Sequence, residues 1–185
     1  MMIERIRREH GYMVRLLAIL KKKLTQLKAE ESINYKLLKE IVDYLSDHSE
    51  KTHHPKEDLI YQYFTENYGE QENISNLESE HIELSKTTHN FLDVVDMILH
   101  DAVVPSDVFA TQLETFIKEQ KLHLDLEEQE ILPLINKTFT TADWQYLERK
   151  WGSQEDDPLF GETIADKYKQ LAERIKQTDS ECVGS

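Results

Sequence analysis

The chain has 185 residues, 31% of them charged, with only five glycines and four prolines, so it fits one domain of long elements and few turns. Its formal net charge of −14 argues against a nucleic-acid surface, which needs a basic stripe, and against an anionic membrane. The lone Cys182 rules out an intrachain disulfide and a cysteine-based metal site, no stretch approaches the ~20 apolar residues of a membrane span, and Met1–Arg8 lacks a continuous apolar run; a soluble, cytoplasmic protein is expected.

The first predicted helix carries Ile3, Ile6, His10, Met13, Leu17, Leu20, Leu24 and Leu27 at alternating steps of three and four, one apolar stripe with a histidine in a core slot. It should end near Lys28–Glu31. A second helix runs from Asn34, a good N-cap, to about Asn67 before Gly69. Its stripe reads Leu38, Ile41, Leu45, Ser49, His53, Glu57, Ile60 and Phe64, and Pro55 inside it should kink the helix or re-aim the side chains beside it.

The third helix, about Glu72 to Asp101, repeats the pattern through Ile74, Leu77, His81, Leu84, Thr88, Phe91, Val95 and Ile98. After Val104-Pro105-Ser106, a fourth helix shows Phe109, Leu113, Phe116, Gln120, His123, Glu127, Ile131 and Leu134, ending near Asn136. Thr140–Asp143 should open a short helix to Trp151. A loop over 152–161 follows, then a last amphipathic helix over 162–177. The expected organisation is an all-α, up-down-up-down four-helix bundle over 1–139, a C-terminal helical appendage over 140–177, and a disordered tail over 178–185.

His53-x3-Glu57 and His123-x3-Glu127 each place an imidazole and a carboxylate on one helix face, about 5–6 Å apart at Cβ. In an up-down bundle the starts of helices one and three and the ends of helices two and four lie at one end. His10, His81 and the two His/Glu pairs then fall in one layer, roughly 13–20 Å from that end. Polar core slots scattered by chance have no reason to share a level. Unpaired carboxylates would be costly there, so a buried metal site is the reading that fits.

Four imidazoles and two carboxylates favour iron, zinc or manganese over the all-oxygen cations. Six ligands exceed the need of one structural zinc and suit a pair of metals. The expected metal ligands are therefore His10, His53, Glu57, His81, His123 and Glu127. His54 lies about 100° off the stripe and is read as backing the site or facing solvent. His48, His89 and His100 are read as surface residues, and Asp58 and Glu128 as solvated acids. Glu78-x-x-His81 matches a ferritin-type element, but such sites need it twice, and it occurs once.

The two His-x3-Glu pairs, with Glu9-His10 and Glu80-His81 before them, resemble the hemerythrin-like (HHE cation-binding) domains over roughly residues 2–137. Trp144 and Asp157-Pro158-Leu159-Phe160-Gly161 are similar to bacterial members. The resemblance implies a four-helix bundle with two iron ions, a non-haem di-iron centre bridged by both carboxylates and an oxo or hydroxo group. Oxygen-carrying members have a further histidine one turn before the third-helix histidine, and here that slot is Leu77. The departure weakens simple oxygen carriage and leaves a metal position open or substituted, with His54 or another carboxylate to fill it.

The function expected is binding or sensing of iron, oxygen or nitric oxide, a small diatomic ligand or iron being the partner. The alternative is a di-iron redox enzyme acting on peroxide or nitric oxide. No flavin or nicotinamide fingerprint is present, so an enzyme would need an external reductant.

Overall fold

The computed structural model describes residues 1–152 and 156–183. Residues 153–155 of the expected loop, and Gly184 and Ser185 of the expected tail, lie outside them. Among the described residues there is no strand. The helices are α1 (Met2–Lys28), α2 (Tyr35–His48), α3 (His54–Tyr68), α4 (Glu72–Ser75), α5 (Leu77–Leu99), α6 (Ser106–Leu126), α7 (Leu132–Thr138), α8 (Thr141–Trp151) and α9 (Lys169–Val183). No helix of the described residues is long and apolar enough to cross a membrane.

The bundle is all-α as expected, but its second and fourth helices are not continuous. A π-helical turn at Ser49–His53 joins α2 to α3, and a second at Glu127–Ile131 joins α6 to α7. Each ends two residues before a proline, Pro55 or Pro133. A proline has no N–H for the carbonyl four residues back, and its ring crowds that carbonyl. Wider i→i+5 bonding absorbs the misfit as an inserted residue. The apolar pattern predicts a kink or re-aimed side chains at Pro55 and no break at Pro133. The third helix is also broken, with α4 a single turn before α5. Helix α3 stops at Gly69, whose φ of 96° is a conformation glycine adopts without strain.

Two apolar clusters fill the interior. One is built from the later part of α1 with α2, α5, α6 and α9, and includes Leu20, Leu38, Ile41 and Phe109. The other joins the start of α1 to α3, α7 and α8 through Ile6, Ile60, Phe64, Leu132 and Trp144. Between them lies a buried polar layer containing Glu9, His10, His53, Lys56, Glu57, His81, His123 and Glu127.

The C-terminal segment packs along the bundle. Thr140 caps α8, its hydroxyl accepting from the Asp143 N–H. Asp157 accepts N–H bonds from Leu159 and Phe160, each at 2.8 Å, and a bond from the Tyr44 hydroxyl at 2.7 Å. Phe160 stacks on Tyr12 with ring centroids 4.1 Å apart. Instead of one helix over 162–177, a 3₁₀ turn at Asp166–Tyr168 leads into α9, which continues to Val183. Residues 178–183, expected as disordered, are therefore helical.

Candidate metal centre

All six predicted ligands meet in the polar layer, and each is buried. Antiparallel packing brings the first third of α1 and the start of α5 level with the two π turns. His10 Nε2 lies 2.8 Å from Glu57 Oε1 and 3.3 Å from Glu127 Oε2. His53 Nε2 lies 3.0 Å from Glu57 Oε1. Across the layer, His81 Nε2 is 3.4 Å from Glu57 Oε2 and 3.3 Å from Glu127 Oε1, and His123 Nε2 is 3.4 Å from Glu127 Oε2. Both carboxylates thus sit between two groups of imidazoles.

His54 is the residue whose orientation the sequence misjudged. Its ring stacks on His81 with centroids 4.0 Å apart and 9° between planes, and meets His123 edge-on at 5.9 Å. The π turn is the reason. In a regular helix neighbouring residues diverge by about 100°, but the inserted residue lets His53 and His54 both face inward. The signal was present: Leu45, Ser49, His53 and Glu57 are spaced by four throughout. Such a run drifts around an α-helix of 3.6 residues per turn, whereas a wider turn holds it in line.

Single ligand atoms of His54, Glu57, His81 and His123 come within 4.8 Å of one another, and so do those of His10, His53 and Glu57. The two groups share Glu57. His53 Nε2, His123 Nε2, Glu57 Oε2 and Glu127 Oε2 have no hydrogen-bond partner among the described residues, although all are buried. Buried polar atoms are normally satisfied. Orphaned imidazole and carboxylate atoms converging from the second and fourth bundle helices fit a metal cation as the missing partner.

Three of the outward-facing ring nitrogens are held by acids. His10 Nδ1 donates to Glu128 at 2.8 Å, His53 Nδ1 to Glu9 at 2.5 Å, and His81 Nδ1 to Asp58 at 2.8 Å. His123 Nδ1 lies 3.8 Å from Glu80. Asp58 and Glu128 are therefore ring-orienting partners instead of solvated acids. Such contacts fix the imidazole tautomer and aim Nε2 inward.

The contacts obey an internal two-fold. Exchanging Glu9-His10 with Glu80-His81, and His53/Glu57-Asp58 with His123/Glu127-Glu128, maps each contact onto another. The correspondence breaks where His54, Lys56 and Tyr61 face Leu124, Leu126 and Ile131 in sequence. Lys56 Nζ donates to Glu9 at 2.5 Å, and the Tyr61 hydroxyl donates to Glu127 at 2.8 Å. Both lie on one side of the layer only.

Protonation follows this charge pattern. Burial alone would lower the His10 pKa, but bonds to Glu127, Glu128 and Glu57 hold it well above the usual histidine value. Burial likewise opposes His81, yet Asp58, Glu127 and the Glu57 charge push it up to about 10. Burial would raise Glu9, but His53 and Lys56 hold it at about 2. Glu57 and Glu127 are also held below the usual carboxylate range against their burial, chiefly by surrounding histidines. His54 goes the other way, lowered by burial and by His81. Without metal the layer is thus a lattice of imidazolium–carboxylate pairs, with protons supplying positive charge.

Of the histidines expected at the surface, His89 and His100 are exposed. His48 is not: it is buried, stacks on Tyr44 at 5.0 Å, and lies 3.4 Å from Asp157. The Asp157 loop of the appendage covers it. Leu77 is fully buried in the second apolar cluster.

The family model described as the hemerythrin HHE cation binding domain matches residues 1–135 of this chain. No curated protein and no solved structure matches it.

Proposed function

The chain belongs to the hemerythrin family of HHE cation-binding domains, and from that premise we propose that its buried layer holds two iron ions and binds or senses a diatomic ligand or iron itself. The carrying observation is that two groups of ligand atoms share Glu57, with orphaned atoms on both sides. In this reading His10 and His53 hold one iron, and His54, His81 and His123 hold the other. Glu57 and Glu127 lie between them. The donor set of imidazoles and carboxylates suits iron, and also zinc or manganese.

Bound iron supplies redox chemistry and a coordination position for a small ligand. The chain's own residues do the rest. Glu9, Asp58 and Glu128 orient three of the imidazoles through Nδ1, and Tyr61 orients Glu127. The apolar clusters on either side keep bulk water from the layer. The His10/His53 side has two histidines against three on the other, so a metal held there would have room for a small ligand. His54 thus takes up, from the second helix, the place that Leu77 leaves empty on the third.

The experiment is anaerobic loading with ferrous iron followed by titration with oxygen or nitric oxide, read by absorption. Saturable bands at one ligand per two irons are expected. A fully loaded protein silent to both gases would overturn the ligand-binding reading. Steady consumption of peroxide or nitric oxide with added reductant would point to the redox-enzyme alternative.

A further inference from the structure

We propose that the two metal positions of the layer differ in affinity, and that Lys56 sets the difference by weakening the position formed by His10 and His53. The inference rests on the two-metal reading above and deepens it. One position holds its metal, and the other is where loading responds to supply.

The grouping of histidines already points this way, with His54, His81 and His123 on one side of Glu57 and only His10 and His53 on the other. The acids behind the rings divide in the same direction. An acid on Nδ1 makes an imidazole a better metal donor, provided its charge is not drawn to another partner. Behind His53, Glu9 is shared: it also accepts from Lys56 at 2.5 Å and from Arg5 at 3.1 Å. Behind His10, Glu128 has Arg7 at 3.8 Å. On the other side Asp58 backs His81, and Glu80 stands near His123. Neither of these acids meets a lysine or arginine among the described residues. The internal two-fold shows what differs in sequence: Leu126 stands in the place of Lys56, and Asn76 in that of Arg5.

Lys56 is fully enclosed, so water and salt screen its charge poorly. It reaches the His10/His53 position through two contacts, Glu9 and then His53. A fixed cation there opposes an arriving divalent ion about twice as strongly as it opposes a proton. Proton competition for His53 therefore reduces the effect of Lys56 without reversing it. The three-histidine side has the opposite surroundings. A cavity of about 250 Å³ beside Asp58 and Tyr61 is lined by Glu66, Glu70 and Glu78, with no basic residue in its lining.

Stepwise extraction of iron from the full, iron-loaded chain tests this, with a competing chelator at equilibrium near neutral pH and iron per chain and absorption as readouts. The two irons should leave in separate steps, at chelator concentrations at least tenfold apart. Lys56→Met should move the first step to roughly tenfold higher chelator, the scale of changes made behind metal-ligating histidines, and leave the second in place. Arg5→Gln, at a half-buried position, relieves the same carboxylate; it should move the first step several-fold in the same direction, and it decides the matter if Lys56→Met does not fold. His53→Ala should show only the later step. The inference is overturned by two irons that leave in one step, by a first step unmoved in folded Lys56→Met, or by a His53→Ala chain that keeps the earlier step. A chain that never holds two irons would instead overturn the two-metal reading, and this inference with it.

Discussion

Lys56 and Lys23 are both largely covered lysines on bundle helices, and their surroundings differ. Lys56 is fully enclosed and donates to Glu9, which also accepts from His53 and Arg5. Lys23 lies near Lys22 and Arg174, with no charged partner of its own among the described residues. Local pairing, not the net charge of the chain, decides what each buried charge does. In the metal layer the chain supplies both signs and leaves inward atoms for a cation; the Lys23 ammonium is not among the buried atoms left without a partner.

The sharpest way to break this contrast is to remove a shared carboxylate. Glu57 faces both histidine groups, so Glu57→Ala should lose both metals, read as iron per chain after reconstitution, while helicity remains. Retention of two irons would remove Glu57 from the centre. The two adjacent histidines come next. His53→Ala and His54→Ala should each lose about one iron per chain and leave different spectra, since they lie on opposite sides of Glu57. If His54→Ala keeps both irons, its inward stacking is packing alone.

Metal-free protein should show the proton lattice directly. The folded pKa values of His10, His53 and His81 are raised, that of His81 to about 10. Folded protein then binds more protons than unfolded chain above pH ~6.5, the unperturbed histidine value. Its stability should fall as pH rises from about 6.5 to about 10, by several kcal/mol at most. Loaded protein should behave differently, because ligand imidazoles must shed protons to bind metal; it should release iron as pH drops below about 6. Urea melts of both forms across this range check the signs, and identical profiles would contradict the pairing described here.

The smallest effects compare the lysines themselves. Lys56→Met strips a charged partner from buried Glu9 and should cost roughly 1–3 kcal/mol. Lys23→Met removes an unpaired cation and should raise stability by up to about 1 kcal/mol, or roughly 2–4 °C in Tm for a chain of this size. Equal and same-signed shifts would erase the distinction.

Much of this was legible in the sequence, because a stripe of period 3.6 fixes which residues face inward. Four such stripes, with short connections, placed His10, His53, Glu57, His81, His123 and Glu127 at one level. The unread parts share a cause: they depend on where that period fails or on contacts between helices. His54 turns inward through the π turn before Pro55, and the matching turn before Pro133 left no break in the apolar pattern. Lys56 is a charged residue whose burial makes sense only beside Glu9 on another helix. His48 reads as a surface residue until the distant Asp157 loop covers it. Glu9, Asp58, Glu80 and Glu128 stood in plain view as acids next to ligand positions, but their roles follow from which ring nitrogen each one meets.

The most direct test of the central claim is the metal content of the full chain, expressed in iron-supplemented medium and measured per chain together with its absorption spectrum. The account predicts about two irons per chain with near-ultraviolet charge-transfer absorption from a coupled pair. A reproducible single zinc per chain, with no uptake of iron, would contradict it.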